Sequence, residues 1–359
     1  MKQGWQEIEF EKSIEKIEYT NKIPRKNFLK EGKYPIISQE ESLINGYWND
    51  QKDLFKSISP IIIFGDHTKI LKYIDFDFVL GADGVKILKP INQIVPKYFY
   101  YFLLNIKLRT LGYARHYRLL REQNISYPVD ISEQKRIVKI LDSAFEDIEK
   151  IKENSKQNLQ NSNNLFQSYL NKLFTENSKV WKEMTLNDVC KKILAGGDKP
   201  TLFSKVKTKQ YSVPIYANAF KDSGLYGFTD KPTINEHAVT VSARGTIGFI
   251  CNRFEPFYPI VRLIVAIPNE SKITIEFLSY ALKFIIPEGN GTSIPQLTIP
   301  NFKKNKIFIP SISEQKQIVK KLDMLQEKTK KLEEIYNKKL QLAEELKQSI
   351  LHKAFNGEL

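Results

Sequence analysis

A stretch of 44 residues occurs twice in this chain, and that repetition limits what the whole can fold into more than any other feature. It reads ISEQKRIVKILDSAFEDIEKIKENSKQNLQNSNNLFQSYLNKLF over residues 131–174 and ISEQKQIVKKLDMLQEKTKKLEEIYNKKLQLAEELKQSILHKAF over residues 312–355. The copies align without a gap at an offset of 181, and 21 of the 44 positions are identical. Chance does not produce such a match, so the chain is an internal duplication of two like halves.

Each copy predicts one long helix. Neither contains Pro or Gly, and the strong helix formers Leu, Lys, Glu and Gln dominate both. Pro128 and Pro310 punctuate the chain just upstream, and Ser132 and Ser313 are expected to cap the helix starts. Apolar residues recur at heptad spacing in one shared frame. The first seam runs through Ile137, Leu141, Ala144, Ile148, Ile151, Leu165 and Tyr169, and turns polar at Ser155, Asn158 and Ser162. The second runs through Ile318, Leu322, Leu325, Leu332, Tyr336, Ala343, Leu346 and Ile350, with Lys339 aligned to Asn158. Such seams predict a coiled coil of rods roughly 65 Å long at 1.5 Å per residue. Phe145, Leu159, Phe166, Ile335 and Leu342 fall outside the seam, which points to further protein partners on the outer faces.

The rods divide 359 residues into domain, rod, domain, rod: residues 1–130, 131–177, 178–311 and 312–359. The formal charge of +14 is unevenly placed, at +4, 0, +8 and +2 over those four segments. The excess sits in the globular segments, so a polyanion would be met there rather than by the rods. No run of about 18 apolar residues suggests a membrane span. The start MKQGWQEIEFEKSIEK lacks an apolar signal core, and Cys190 and Cys251 form no disulfide framework, so a reducing cytoplasm is expected.

Within residues 1–130, strands are expected at Tyr34–Ile37, Pro60–Phe64 and Phe78–Leu88, with turns at Gly46, Gly65, Gly81 and Gly84 and a helix after Pro96. Arg109, Arg115, Arg118 and Arg121 then fall within 13 residues, interleaved with Tyr113, His116 and Tyr117. Guanidinium forks with aromatics suit phosphates and guanine edges, although a solvated basic helix face has the same composition. Residues 181–311 repeat the outline more loosely. Trp181-Lys182-Glu183-Met184 answers Trp5-Gln6-Glu7-Ile8, Val213-Pro214-Ile215-Tyr216 answers Tyr34-Pro35-Ile36-Ile37, and Ile275 to Leu278 answers Pro96 to Phe99. One scaffold thus carries two different sets of loops, as expected of two readers of different sequences or of drift after duplication.

Rod one enters the second domain almost directly, and that domain exits into rod two. Termini of compact domains usually lie close together, so the rods are expected to run antiparallel and the halves to be related by a pseudo-two-fold axis. That symmetry suits duplex DNA, and Leu359 is expected near Met1. Catalytic signatures are missing. There is no Asn-Pro-Pro-Tyr or Asp-Pro-Pro-Tyr motif and no GxxxxGK[ST] loop. His67, His116, His237 and His352 show no metal-ligand spacing, and Asp66, Asp75, Asp77 and Asp83 lack the paired Glu-x-Lys of a nuclease.

The twin Ile-Ser-Glu-Gln-Lys-(Arg/Gln)-Ile-Val helix starts after prolines, Trp5 and Trp181 opening the halves, Ser242-Ala243-Arg244-Gly245-Thr246-Ile247-Gly248, and Gly291-Thr292-Ser293-Ile294-Pro295-Gln296-Leu297 together resemble the specificity subunit of a type I restriction-modification system. The resemblance spans the chain. It implies an α+β fold with two target recognition domains separated by two long antiparallel coiled-coil helices. Each domain would read one part of a bipartite DNA site, and the helices would set the gap and dock two methylation subunits. Those subunits would carry S-adenosylmethionine and methylate adenine at N6, while two restriction subunits would use ATP and Mg2+. This chain would itself be noncatalytic and carry no cofactor. Two other readings stay open: the recognition part of a split or combined restriction-methylation enzyme, and a coiled-coil adaptor without sequence preference.

Arginine, Asn and Gln read base edges, and lysines mostly hold phosphates. In the first half the candidate contacts are Asp66, His67, Thr68, Lys69, Arg115, His116, Tyr117, Arg118 and Arg121. In the second they are Lys199, Lys205, Lys207, Lys209, Asn218, Ser242, Arg244, Thr246, Thr292, Ser293 and Gln296. The first half has Gly65-Asp66-His67-Thr68 where the second has Ala243-Arg244-Gly245-Thr246, so contacts cannot be carried from one half to the other there.

Overall fold

The computed structural model describes residues 1–359 except 1–2, 83, 111, 113, 244–245, 287–288 and 291–296, and the side chains of 246, 289 and 290. The chain forms two compact units. One holds Met1–Lys156 with Lys338–Leu359, the other Gln157–Asn337. Helices Ile131–Asn177 and Ile312–Asn356 each begin in one unit and end in the other.

Both units are built on the same base. In the first, strand Trp5–Glu9 pairs antiparallel with Asn124–Pro128, the strand that runs into the first long helix. In the second, Lys182–Thr185 pairs with Lys306–Ile309, which runs into the second. A short apolar helix lies against each rod, Pro96–Asn105 in one unit and Ile275–Ile285 in the other. Its aromatic faces meet the rods' buried residues. Phe355 packs against Tyr98 and Phe102 with ring centroids 5.3 and 5.2 Å apart. Phe174, its counterpart in the repeat, packs against Phe277 at 5.6 Å and Phe284 at 5.0 Å.

The repeated Glu-Gln dipeptide has a visible purpose. Gln134 is wholly buried; its Oε1 accepts from Val95 N at 2.8 Å, and its Nε2 donates to Gln93 O and Pro128 O, both at 2.8 Å. Gln315 repeats this contact for contact: Oε1 from Thr274 N at 2.9 Å, Nε2 to Lys272 O at 2.9 Å and Pro310 O at 3.0 Å. One side chain thus ties the rod's first turn to the strand before it and to the start of the apolar helix, satisfying backbone groups that would otherwise be buried unpaired. Eight residues on, Tyr101 donates its hydroxyl to Asp142, and Tyr280 donates to Asp323 at 2.5 Å. Burial, with the carboxylate beside it, pushes the Tyr280 hydroxyl well above the usual range.

Three expectations need correction. The helix starts are capped one residue before the rods, not at Ser132 and Ser313. Asp130 Oδ1 accepts from Ser132 N at 2.8 Å, and Ser311 Oγ from Glu314 N at 3.3 Å. The span Phe78–Leu88 is two strands, Phe78–Gly81 and Val85–Leu88, in different sheets; Gly84 turns between them at φ +71. The heptad seam holds at Ile137, Leu141, Ile148, Ile318, Leu322 and Ala343, but Ile151, Leu165, Tyr169 and Leu346 are exposed. Leu170 and Leu351, equivalent in the repeat, are wholly buried instead. An α-helix drifts against a strict heptad, and here each rod's last turns face the aromatic helix and strands of a globular half.

Above this base the sheets differ. The first unit has a five-stranded mixed sheet about Phe78–Gly81 and a three-stranded antiparallel sheet, Leu71–Ile74, Ile61–Gly65, Val85–Leu88. The second has a four-stranded antiparallel sheet ordered Cys190–Ala195, Ile264–Pro268, Ala238–Val241, Ile250–Arg253. It also has a three-stranded sheet in which Val213–Tyr216 lies between Leu225–Thr229 and Tyr258–Pro259. Among the described residues no helix is long and apolar enough to cross a membrane, and no cluster of three or more His, Cys, Asp or Glu could hold a metal ion.

Candidate nucleic-acid interface

In each unit two loops meet, one after the strand Tyr34–Ile37 or Val213–Tyr216, the other after the central strand Ile61–Gly65 or Ala238–Val241. One amide side chain joins them. Gln39 Oε1 accepts from His67 N at 3.2 Å, and Asn218 Oδ1 accepts from Ala243 N at 2.9 Å. Each amide stands two residues past its strand, and each N–H it holds stands two residues past the central strand.

A buried cation braces the first of these loops in both units. In the first, Lys72 is 5% exposed and donates to Ser42 O at 2.5 Å and Asn45 Oδ1 at 3.0 Å. Burial lowers its amine to about 8, against the pull of Glu40. In the second, Arg253 is 6% exposed, donates to Thr240 Oγ1 at 3.1 Å and Ser223 O at 2.5 Å, and lies 3.5 Å over the Tyr216 ring. The braced loops carry exposed apolar side chains, Leu43 and Ile44 in one and Phe220 in the other.

The first unit brings Asp66, His67, Thr68 and Lys69 together with His116 and Tyr117, some 50 residues on. Asp66 is buried; its carbonyl accepts from His116 N at 2.7 Å and its Oδ1 from Tyr117 N at 2.8 Å. It therefore holds the start of helix Tyr117–Arg121. His116 is 1% exposed, with Nδ1 3.0 Å from Asp66 O. Tyr117 is half-buried against Phe10 and Phe64, and burial raises its hydroxyl above the ordinary value. Arg121 pairs with Glu11. Thr68 Oγ1 donates to Gln39 O at 2.7 Å and Lys69 Nζ to Thr110 Oγ1 at 2.7 Å. Of the nominated residues, Asp66 and His116 are thus framework, because they are buried and hold each other, whereas Arg121 keeps an exposed guanidinium beside Glu11. Arg115 and Arg118 stay exposed, and among the described residues neither joins an ion pair.

In the second unit Lys199 and Lys205 gather on an aromatic shelf that the sequence reading missed. Lys205 Nζ lies 3.4 Å over Tyr226, Lys199 Nζ 4.4 Å over Phe203, and the two rings are 5.8 Å apart. Lys207 and Lys209 are exposed on the turn closed by Thr208 and Tyr211. Ser242 is 1% exposed, so it too is framework. Arg244, Thr292, Ser293 and Gln296 lie outside the described residues. Thr246 begins a strand with Ile247 paired to Gly289–Asn290, and its side chain lies outside them.

The duplicated base and the paired loops fit one known family. The family model described as "Type I restriction modification DNA specificity domain" matches residues 3–161 and again residues 178–342. The chain belongs to that family. Two putative type I specificity subunits of Mycoplasma pneumoniae are 40% identical over 129 residues and 37% identical over 137. These matches cover 36% and 37% of this chain, and 35% and 41% of the relatives. The chain thus spans about two-fifths or less of the length of the curated relatives it matches. A solved structure from a study of complex assembly and conformational transition of the type I R-M system superposes with TM-score 0.78 at 17% identity, over 99% of this chain and 98% of that one. The HsdS subunit from Thermoanaerobacter tengcongensis gives 0.59 at 18% identity, over 99% and 97%. At such identities the likeness is one of fold.

Proposed function

We propose that this chain is a noncatalytic, sequence-specific DNA-binding subunit of a type I restriction-modification complex. Each globular half reads one part of a bipartite site, and the long helices set the unread gap and dock two methylation subunits. Two restriction subunits join that assembly. S-adenosylmethionine, ATP and Mg2+ belong to those partners, none to this chain, and the complex works in the cytoplasm. The observation that carries this reading is the pairing of a duplicated base, held by Gln134 and Gln315 through the same three hydrogen bonds, with loops that differ between halves. A catalytic pair would need the same side chains in both halves, whereas two readers of different sequences need the same support under different side chains. Exposed Arg115 and Arg118 in one half and the lysine shelf in the other supply the positive contacts that a phosphate backbone requires.

The test is a genome-wide map of N6-methyladenine in cells given this chain with a methylation subunit it binds. The expected result is a bipartite motif with a fixed gap, absent without this chain, one part of which changes when residues 178–311 are exchanged for those of another family member. A bound partner and no new motif would refute sequence reading and favour the adaptor. Methyl transfer by the purified chain alone would refute the noncatalytic assignment.

A further inference from the structure

The turn between strands Tyr258–Pro259 and Ile264–Pro268 holds two consecutive non-glycine residues in the left-handed region, Val261 at φ 54 and Arg262 at φ 58. For a β-branched residue this is costly, and it persists only where the surroundings enforce it. Here they do so from three sides. Val261 N donates to Gly197 O at 2.8 Å and Arg262 N to Gly196 O at 3.0 Å. Gly196 has no room for a side chain, since a Cβ would stand 2.7 Å from the Pro259 carbonyl carbon. Asn218 Nδ2 donates to Val261 O at 2.5 Å while its Oδ1 holds Ala243 N, so the amide that joins the two candidate loops also fixes this turn.

What the turn presents is an exposed guanidinium. Among the described residues no carboxylate pairs with Arg262, although Asp198 follows the glycines that hold it. A lysine on a flexible stem serves for phosphate, and nothing is gained there by a fixed backbone. A strained backbone tied on three sides serves a contact that depends on direction. We propose that the Val261–Arg262 turn is a base-reading element of the second half, its guanidinium donating to the O6 and N7 acceptors of a guanine in the major groove. The inference rests on the reading of the chain as a DNA-specificity subunit.

The test uses the full chain in complex with its methylation subunit, on duplexes carrying the mapped motif with 7-deazaguanine at each guanine in turn. The wild-type complex should lose about 10- to 100-fold in affinity at one guanine of the part assigned to residues 178–311. Arg262→Ala should lose a similar factor on unmodified DNA and nothing further at that guanine. Arg262→Gly, which relieves the left-handed backbone, should melt no lower than wild type and show the same loss, which separates contact from folding. Wild-type preference in both variants overturns the proposal, as does unchanged sensitivity to every 7-deazaguanine or a part without guanine. A wild-type complex with no sequence preference would instead overturn the reading beneath it.

Discussion

The two globular units agree below and differ above. At the base, Gln134 and Gln315 make the same three bonds, Tyr101 and Tyr280 give their hydroxyls to equivalent aspartates, and Phe355 and Phe174 fill equivalent aromatic pockets. At the loops, an amide clamp and a buried cation recur while the exposed apolar and cationic side chains differ: Leu43 and Ile44 against Phe220, Arg115 and Arg118 against Arg262. Buried polar groups hold their identity because each lost partner leaves another group unpaired, whereas an exposed side chain can change without a folding cost. Duplication followed by change at the tips is therefore a low-cost route to two halves that share one base and present different surfaces.

The largest expected effect tests the sameness of the base. Gln134→Ala and Gln315→Ala each leave one N–H and two carbonyls without their partner. Each should cost about 2–4 kcal/mol in urea unfolding. The two costs should agree within about 1 kcal/mol, because the contacts are the same. A wide gap between them would break the equivalence.

The next effect separates the loops. Asn218→Ala removes both ends of a bridge that includes the strained turn, whereas Gln39→Ala removes the acceptor of one N–H. Losses of about 1–2 and about 0.5–1 kcal/mol are expected, in that order. In a methylation map each variant should relax one part of the motif and leave the other unchanged. Relaxation of both parts by either variant would mean that the halves do not read independently.

A smaller effect concerns the lysine shelf. Lys199→Ala with Lys205→Ala should weaken binding to all sequences and reduce the slope of log affinity against log salt by about 1–2. Lys199 and Lys205 stand over the packed rings of Phe203 and Tyr226, whereas in the first half single lysines, Lys86 and Lys97, lie over Tyr117 and Tyr73. Exchange of one part of the motif by this pair would make them base readers instead.

Much of the base was legible because helices and repeats write themselves along the chain. The clamp was legible only as an identity: Glu-Gln stands in both copies, but the partners of Gln134 at Val95 and Gln93 lie about 40 residues away. The candidate site was legible by residue type and not by direction. Asp66 and His116 looked like contacts because polar residues near glycine turns usually face solvent, yet each turns inward to hold the other's loop. Gln39 is not legible as a clamp, because one glutamine in a polar loop carries no pattern. Nor does a sequence record that Val261 and Arg262 adopt positive φ, since the Gly196 and Gly197 carbonyls that hold them lie about 65 residues earlier in the chain.

The last effect, confined to alkaline pH, tests one of the two braces. Lys72 and Arg253 brace their loops with different groups, an amine and a guanidinium, and burial brings the Lys72 amine within reach of a pH experiment. Burial lowers Lys72 to about 8 from an ordinary value of 10.5. Below pH 8 the amine is charged in folded and unfolded protein alike, so the burial cost is present in full. Between pH 8 and 10.5 the folded protein has released a proton that the unfolded chain still holds, so this group's contribution to stability rises with pH. Unfolding in urea at pH 7 and pH 10 should show the difference between wild type and Lys72→Met grow by about 1–2 kcal/mol in favour of wild type. A flat difference would place the Lys72 amine in water, and the two halves would then share the loop but not the brace.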